Sequence, residues 1–350
     1  MPNSSPAISS VSTLQTVKSL LIKLIALAQR YPGLIAIFGF ISGAASFFFV
    51  ERSTSIAQGI TIVLLLSWLF LILEKVLRDL LLRYFHLSFP PAVMHYLTQL
   101  VHQESLFFAL PFFLAVTTWD HGQSVFTALL IICALVSVID PVYYQKLAKR
   151  RELFLLFHAF ALFSVMLVSL PVILQMTTTQ SIAWALLTVI ALSLPSLVRV
   201  FQYRRWWRLP ALLLMLSVLA GALWQARGWI PPASLRLTEM SLSQEVDRQQ
   251  LQHGQAINSI SQTQLKQSGL YAWTAIKAPR GLQEKIHHVW VHNGKQVDRI
   301  TLEINGGREL GYRAFSYKSH FPEQSAGRWQ VKVVTDSGQL VGLKRFNVTN

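Results

Sequence analysis

The stretch SLFFALPFFLAVTTWDHGQSVFTALLIICALVSVI, residues 105–139, decides how this chain is read. It holds two apolar runs, 105–119 and 123–139, separated only by Trp119-Asp120-His121-Gly122. That tetrapeptide has the composition of a tight turn at a surface. A helix needs about 20 mainly apolar residues to cross roughly 30 Å of hydrocarbon, and the first run falls short of that. If both runs cross, they form a helical hairpin. Merging or dropping the first would reverse the sidedness of everything downstream.

Working outward, further apolar segments at 33–50, 56–73, 153–174, 182–198 and 210–226 bring the expected number of spans to about seven, in a helical domain over 33–230. Residues 1–32 precede it as a cytoplasmic N-terminal segment. Within that segment, residues 14–30 place Gln15, Ser19, Lys23 and Arg30 on one helical side, the pattern of a helix lying in the interface. Residues 76–89 read similarly until Pro90-Pro91. Phe47-Phe48-Phe49 and a long basic lead-in argue for an uncleaved anchor rather than a signal peptide in the first run.

Composition agrees with a lipid-facing chain. Apolar residues make up 52% and charged residues 13%, against roughly 25% charged in ordinary soluble domains. The net charge of +15 does not point to nucleic acid, because 16 of the 31 Lys and Arg lie at or between the apolar runs. Their distribution instead sets an orientation. Fourteen fall in the N-terminal segment and in the second, fourth and sixth connections, whereas Arg52 alone falls in the first, third and fifth. Basic loops stay cytoplasmic. The N-terminus is therefore expected inside, with everything after residue 231 on the non-cytoplasmic side of the membrane.

After Pro231-Pro232 the hydrophobic period changes from helical to two. Residues 231–268 read as a connector and 269–350 as a β domain, with strands near 270–277, 286–292, 297–304, 311–318, 328–335 and 340–348. Asn293-Gly294, Asn305-Gly306-Gly307 and Asp336-Ser337-Gly338 supply the turns. An immunoglobulin-like sandwich is the economical solution, since one sheet cannot cover its own apolar face. By parity Ile300, Leu302, Ile304, Trp329, Val331 and Val333 point inward, and Arg299, Thr301, Glu303, Arg328, Gln330 and Lys332 face water.

Candidate sites are few. In the bundle, Glu104 and His158 are the polar candidates, because ionisable groups inside a span are costly. Gly39 and Gly43 form a G-x-x-x-G that permits close helix packing and homo-oligomers. In the β domain, His288, Trp290 and His292 share a face. His288 and His292 stand about 13 Å apart on a strand, too far to share one ion, so no metal is expected. Cys133, the only cysteine, rules out an intrachain disulfide. No hydrolase motif or phosphate loop occurs, no cofactor is implied, and whether the chain is an enzyme stays open.

The runs Leu270-Tyr271-Ala272-Trp273-Thr274, His288-Val289-Trp290-Val291-His292-Asn293-Gly294, Ser316-Tyr317-Lys318, Gly327-Arg328-Trp329-Gln330-Val331-Lys332-Val333 and Phe346-Asn347-Val348 resemble a bacterial family of unknown function that ends envelope proteins. The membrane part resembles an uncharacterised companion. The resemblance implies a bacterial envelope location and a small β domain, and adds Ser316 and Lys318 to a ligand face with His288 and Trp290. Two functions stay open. One is a membrane-anchored sandwich that binds an envelope protein, peptide or glycan; the other is a transporter or membrane enzyme with its site in the bundle.

Overall fold

The computed structural model describes residues 91–200 and 208–350, the helical stretch 61–69, and scattered positions before residue 91. Five long helices come first. They are α1 (Pro91–Val116), α2 (Gln123–Val138), α3 (Arg151–Leu174), α4 (Thr178–Val200) and α5 (Arg208–Gln225), with a π-helix (Pro141–Leu147) after α2 and a 3-10 turn (Ala226–Trp229) after α5. Pro91, expected to stop an interfacial helix, instead opens α1, where a missing N–H costs nothing. Consequently the short run at 105–119 is the second half of a 26-residue helix.

The expectation of about seven spans is corrected here. Among the described residues, two helices are long and apolar enough to cross a membrane, His95–Val116 and Arg151–Leu174. A third is added only if α2 and the π-helix, bent by 100° at their break, make one span. Counting apolar runs overestimates spans because a span must also be one unbroken helix. After Val138 the chain turns extended at Ile139, and Pro141 cannot continue the α-helical ladder. α4 has only a short apolar part, Thr178–Ser193. Most of the run at 33–50 and of the interfacial helices, with Gly39 and Gly43, lies outside the described residues, whereas most of 56–73 is described and helical.

The helical core is apolar but has polar groups built into it, and much of the helices' outer surface is apolar as well. Gln99, His102, Gln103, Ser105, Thr127, Ser137 and Ser164 are buried beside Leu106, Phe113, Leu130 and Val165. Meanwhile Val125, Leu129, Ile132 and Leu135 on α2, Trp184 and Leu187 on α4, and Leu213, Leu214 and Val218 on α5 are exposed. Backbone chemistry explains one part of this polar core. The Ser137 carbonyl would accept from the N–H of residue 141, which Pro141 lacks. Gln99 Nε2 at 3.0 Å and Gln103 Nε2 at 2.7 Å, one helical turn apart on α1, donate to it instead.

The remainder is β-rich. Strands β1 (Arg236–Ser243), β5 (Leu270–Lys277) and β8 (Tyr312–Lys318) form one sheet in that order. Strands β4 (Ser259–Ser261), β10 (Leu340–Thr349), β9 (Gly327–Thr335), β6 (Gln283–His292) and β7 (Lys295–Asn305) form the second. A short hairpin, β2 (Val246–Asp247) with β3 (Gln252–His253), and a one-turn helix α6 (Gln262–Ser268) complete it. The sheets meet through Leu242, Leu270 and Ala272 on one side and Trp290, Trp329, Val331 and Phe346 on the other. Hairpins β6–β7 and β9–β10 lie together in the larger sheet, which packs against the sheet of β1, β5 and β8. The stretch 231–268, read as a connector, supplies β1, β4 and α6. Its polar Gln-rich segment obscured them, because that segment builds the β2–β3 hairpin. Asn293 and Gly294 both take positive φ, 46° and 85°, as a tight two-residue hairpin requires.

Replacing both Gln99 and Gln103 by Leu should destabilise the protein by about 1–3 kcal/mol, the cost of an unsatisfied buried carbonyl. Thermal unfolding in detergent measures it. Adding Pro141→Ala, which restores the missing N–H, should recover part of the loss, and an unchanged melting temperature in the double variant would remove this role for the glutamines.

Candidate functional site

The face proposed for a ligand lies inside the sandwich. His288 and Trp290 on β6 are fully buried, and Ser316 and Lys318 on β8 are nearly so. His288 Nδ1 is 2.8 Å from Ser316 Oγ, and its Nε2 is 3.2 Å from Thr274 Oγ1 on β5. Burial pushes the imidazole down to about 4, so it is neutral and cross-links the two sheets. Lys318 Nζ donates to Asp298 Oδ2 at 2.6 Å across the open edge between β8 and β7, and this ammonium holds the Asp298 carboxyl below its usual range. His292 stands apart, stacked on Trp329 at 4.4 Å. Four of the five residues therefore staple the sheets together. Trp290 Nε1 has no hydrogen-bond partner.

In the bundle, His158 and Glu104 are not brought together. His158 on α3 meets a residue the sequence reading passed over: its Nδ1 is 2.9 Å from His102 Nε2, and His102 Nδ1 is 2.8 Å from the Tyr143 hydroxyl. Trp68 packs edge-on against His158 with ring centroids 4.7 Å apart and donates to Ser105 Oγ at 2.7 Å. Of the two bonded imidazoles, one must donate and the other accept. Glu104, two residues from His102 and so about 200° around α1, accepts instead from Ser42 Oγ at 2.8 Å. Starting α1 at residue 91 reveals the signal, because Gln99, His102 and Gln103 then share one helical face at i, i+3 and i+4.

The most constrained polar geometry lies where sandwich and bundle meet. Glu284, at the start of β6, accepts from the Thr178 N–H at 2.8 Å and from its hydroxyl at 2.9 Å, and so caps the first turn of α4. Around it, Gln123 Nε2 donates to the Leu340 carbonyl (2.8 Å), Gln339 Nε2 to the Ile230 carbonyl (2.9 Å) and Arg227 Nε to the Ser337 carbonyl (2.9 Å). Gly281 is obligatory there: its φ is +85°, and a Cβ would come within 2.5 Å of the Gln175 amide. Arg345 pairs with Asp120 in the α1–α2 turn, and with His121 it holds that carboxyl down at about 2. Helix ends 117–123, 175–178 and 226–230 thus share the end that carries the sandwich.

Desolvation pushes Glu284 up to about 7, against an ordinary value of 4.5, despite the two bonds from Thr178. The docked state therefore favours the protonated form. Stability from this group is fully present below about 4.5 and is lost as pH rises through about 7, a difference of up to about 3 kcal/mol. Glu284→Gln should abolish that part of the pH dependence while retaining an acceptor for Thr178; melting temperatures of both proteins between pH 4.5 and 8 test it, and parallel curves would reject it. In the sandwich, Trp290→Ala should cost about 3–5 kcal/mol and Lys318→Met less, because Asp298 keeps access to water. A full-length Trp290→Ala protein with native stability would contradict the interior assignment.

Comparison with known families places the chain among proteins without an assigned activity. Residues 283–348 match a model described as a protein of unknown function, DUF2914. No curated protein matches the chain. Residues 14–272, about three quarters of its length, match a model described as a family of unknown function, and the chain belongs to that family, DUF5924.

Proposed function

We propose that this chain is an integral protein of the bacterial inner membrane that seats its sandwich on the periplasmic side and uses it to bind an envelope component. One observation carries the reading: the helices expose many large apolar side chains, among them Val125, Leu129, Ile132, Leu135, Leu214 and Val218, while Gln99, His102, Gln103 and Ser105 lie buried in the core. The direction rests on charge. Among the described residues, the end that bears the sandwich contains the third and fifth connections, which lack Lys and Arg, whereas the opposite end carries Lys146, Lys149, Arg150 and Arg151.

Because the seat is a set of buried hydrogen bonds at three helix ends, the sandwich is held in a fixed pose rather than tethered. A binding event on it would be felt at Thr178 and Gln123. The interior placement of His288, Trp290, Ser316 and Lys318 moves the binding surface to an outer face of a sheet.

Reporters active only outside the cytoplasm, fused after residue 232 and within 146–151, should be active at the first site and silent at the second. Activity in the reverse pattern would overturn the orientation, and a chain recovered in the soluble fraction would overturn the membrane reading.

A further inference from the structure

We infer that the outer face of the five-stranded sheet is a binding site for the headgroups of anionic phospholipids in the leaflet nearest the sandwich. This rests on the membrane reading above and names what the sandwich touches. Strand parity puts Lys285, Arg299, Arg328, Lys332 and Arg345 on that face; the acids beside them are Glu303 opposite Lys285, Asp336 on His287, and Asp120 on Arg345. The register places Arg299 and Lys332 on either side of Val289, and Gln330 beside both Val291 and Arg345. Lys285, Arg299, Arg328 and Lys332 have no acidic partner within ion-pair distance among the described residues. The site is thus a cationic plane with a shallow aliphatic floor.

Its position selects the occupant. Arg345 reaches Asp120 in the α1–α2 turn, at the end of the helix His95–Val116 that is long and apolar enough to cross a bilayer. Trp119, next to Asp120, is 55% exposed, and Trp229 at the end of the 3-10 turn is 59% exposed. Indoles at that level suit the headgroup zone. The sheet face therefore begins within a Debye length, about 8 Å, of lipid phosphates. A glycan fits less well, since the outward positions of β6, β7, β9 and β10 carry no Trp, Tyr or Phe on which a sugar ring stacks. An apolar peptide fits less well because Val289 and Val291 are themselves buried beneath the surrounding side chains.

The test uses the full-length protein in detergent, titrated with phosphatidylglycerol or phosphatidylcholine. The variant is Arg299→Glu/Lys332→Glu, and Lys149→Glu/Arg150→Glu controls for lipid held by the basic loop. Phosphatidylglycerol should bind the first variant roughly 30-fold more weakly than wild type, the factor expected from two cationic contacts of about 1 kcal/mol each. Phosphatidylcholine should not distinguish them. Equal phosphatidylglycerol affinity in wild type and variant overturns the inference. So does loss of heparin binding, as a soluble anionic-polymer probe, with lipid affinity retained. If the charge reversals impair folding, Arg299→Gln/Lys332→Gln is read instead. The reporters fail separately: a cytoplasmic sandwich with intact lipid binding sinks the orientation alone, and a periplasmic one without lipid binding sinks this inference alone.

Discussion

Glu284 hands its carboxylate to the first turn of α4, and the relation between the two halves of the protein depends on that bond pair. A helix beginning at Thr178 has N–H groups without intrahelical acceptors, and its partial positive charge wants an anion. The sandwich supplies a carboxyl group there from the start of β6, the strand between β9 and β7 in its larger sheet. Burial works against the charge, so the fit of this carboxyl group at the seat depends on its protonation. In the neighbouring contacts Gln123 and Gln339 are neutral donors and Arg227 a permanently charged one, each to a backbone carbonyl. They hold the pose at any pH.

The same logic of orphaned backbone groups organises the bundle. Pro141 ends the α-helical run and strands the Ser137 carbonyl, and α1 answers with two glutamines on one face. That face also carries His102, so the helix that repairs the break is the helix that meets His158 and Tyr143. Part of the polarity at the core follows from this need.

The two family models meet inside one fold. The first ends at residue 272, within β5, and the second begins at 283, at β6. Yet β8, from the second, is hydrogen-bonded to β5, from the first, and β4 pairs with β10. The apolar face of the larger sheet is covered by β1 and β5. Neither portion closes a sandwich by itself, so the boundary between the families divides sequence conservation units and not packing units.

Local rules made much of this legible from sequence. Alternation of period two located all six strands from β5 to β10, and Asn293-Gly294 announced its hairpin because few other pairs accept two positive φ values. Of the connections poor in Lys and Arg, the third and the fifth meet the sandwich through Asp120 and Thr178. Span number was not legible, because hydropathy counts apolar residues and cannot see that Pro141 breaks one helix while Pro91 lengthens another. Nor was the ligand face: β6 alternates His287, Val289 and Val291 with His288, Trp290 and His292, so both faces mix polar and apolar groups. Only the closing of β1, β5 and β8 over one of them decided which became interior. His102 finding His158, and Glu284 finding Thr178, are likewise tertiary facts, since groups 56 and 106 residues apart meet only when the whole chain has packed.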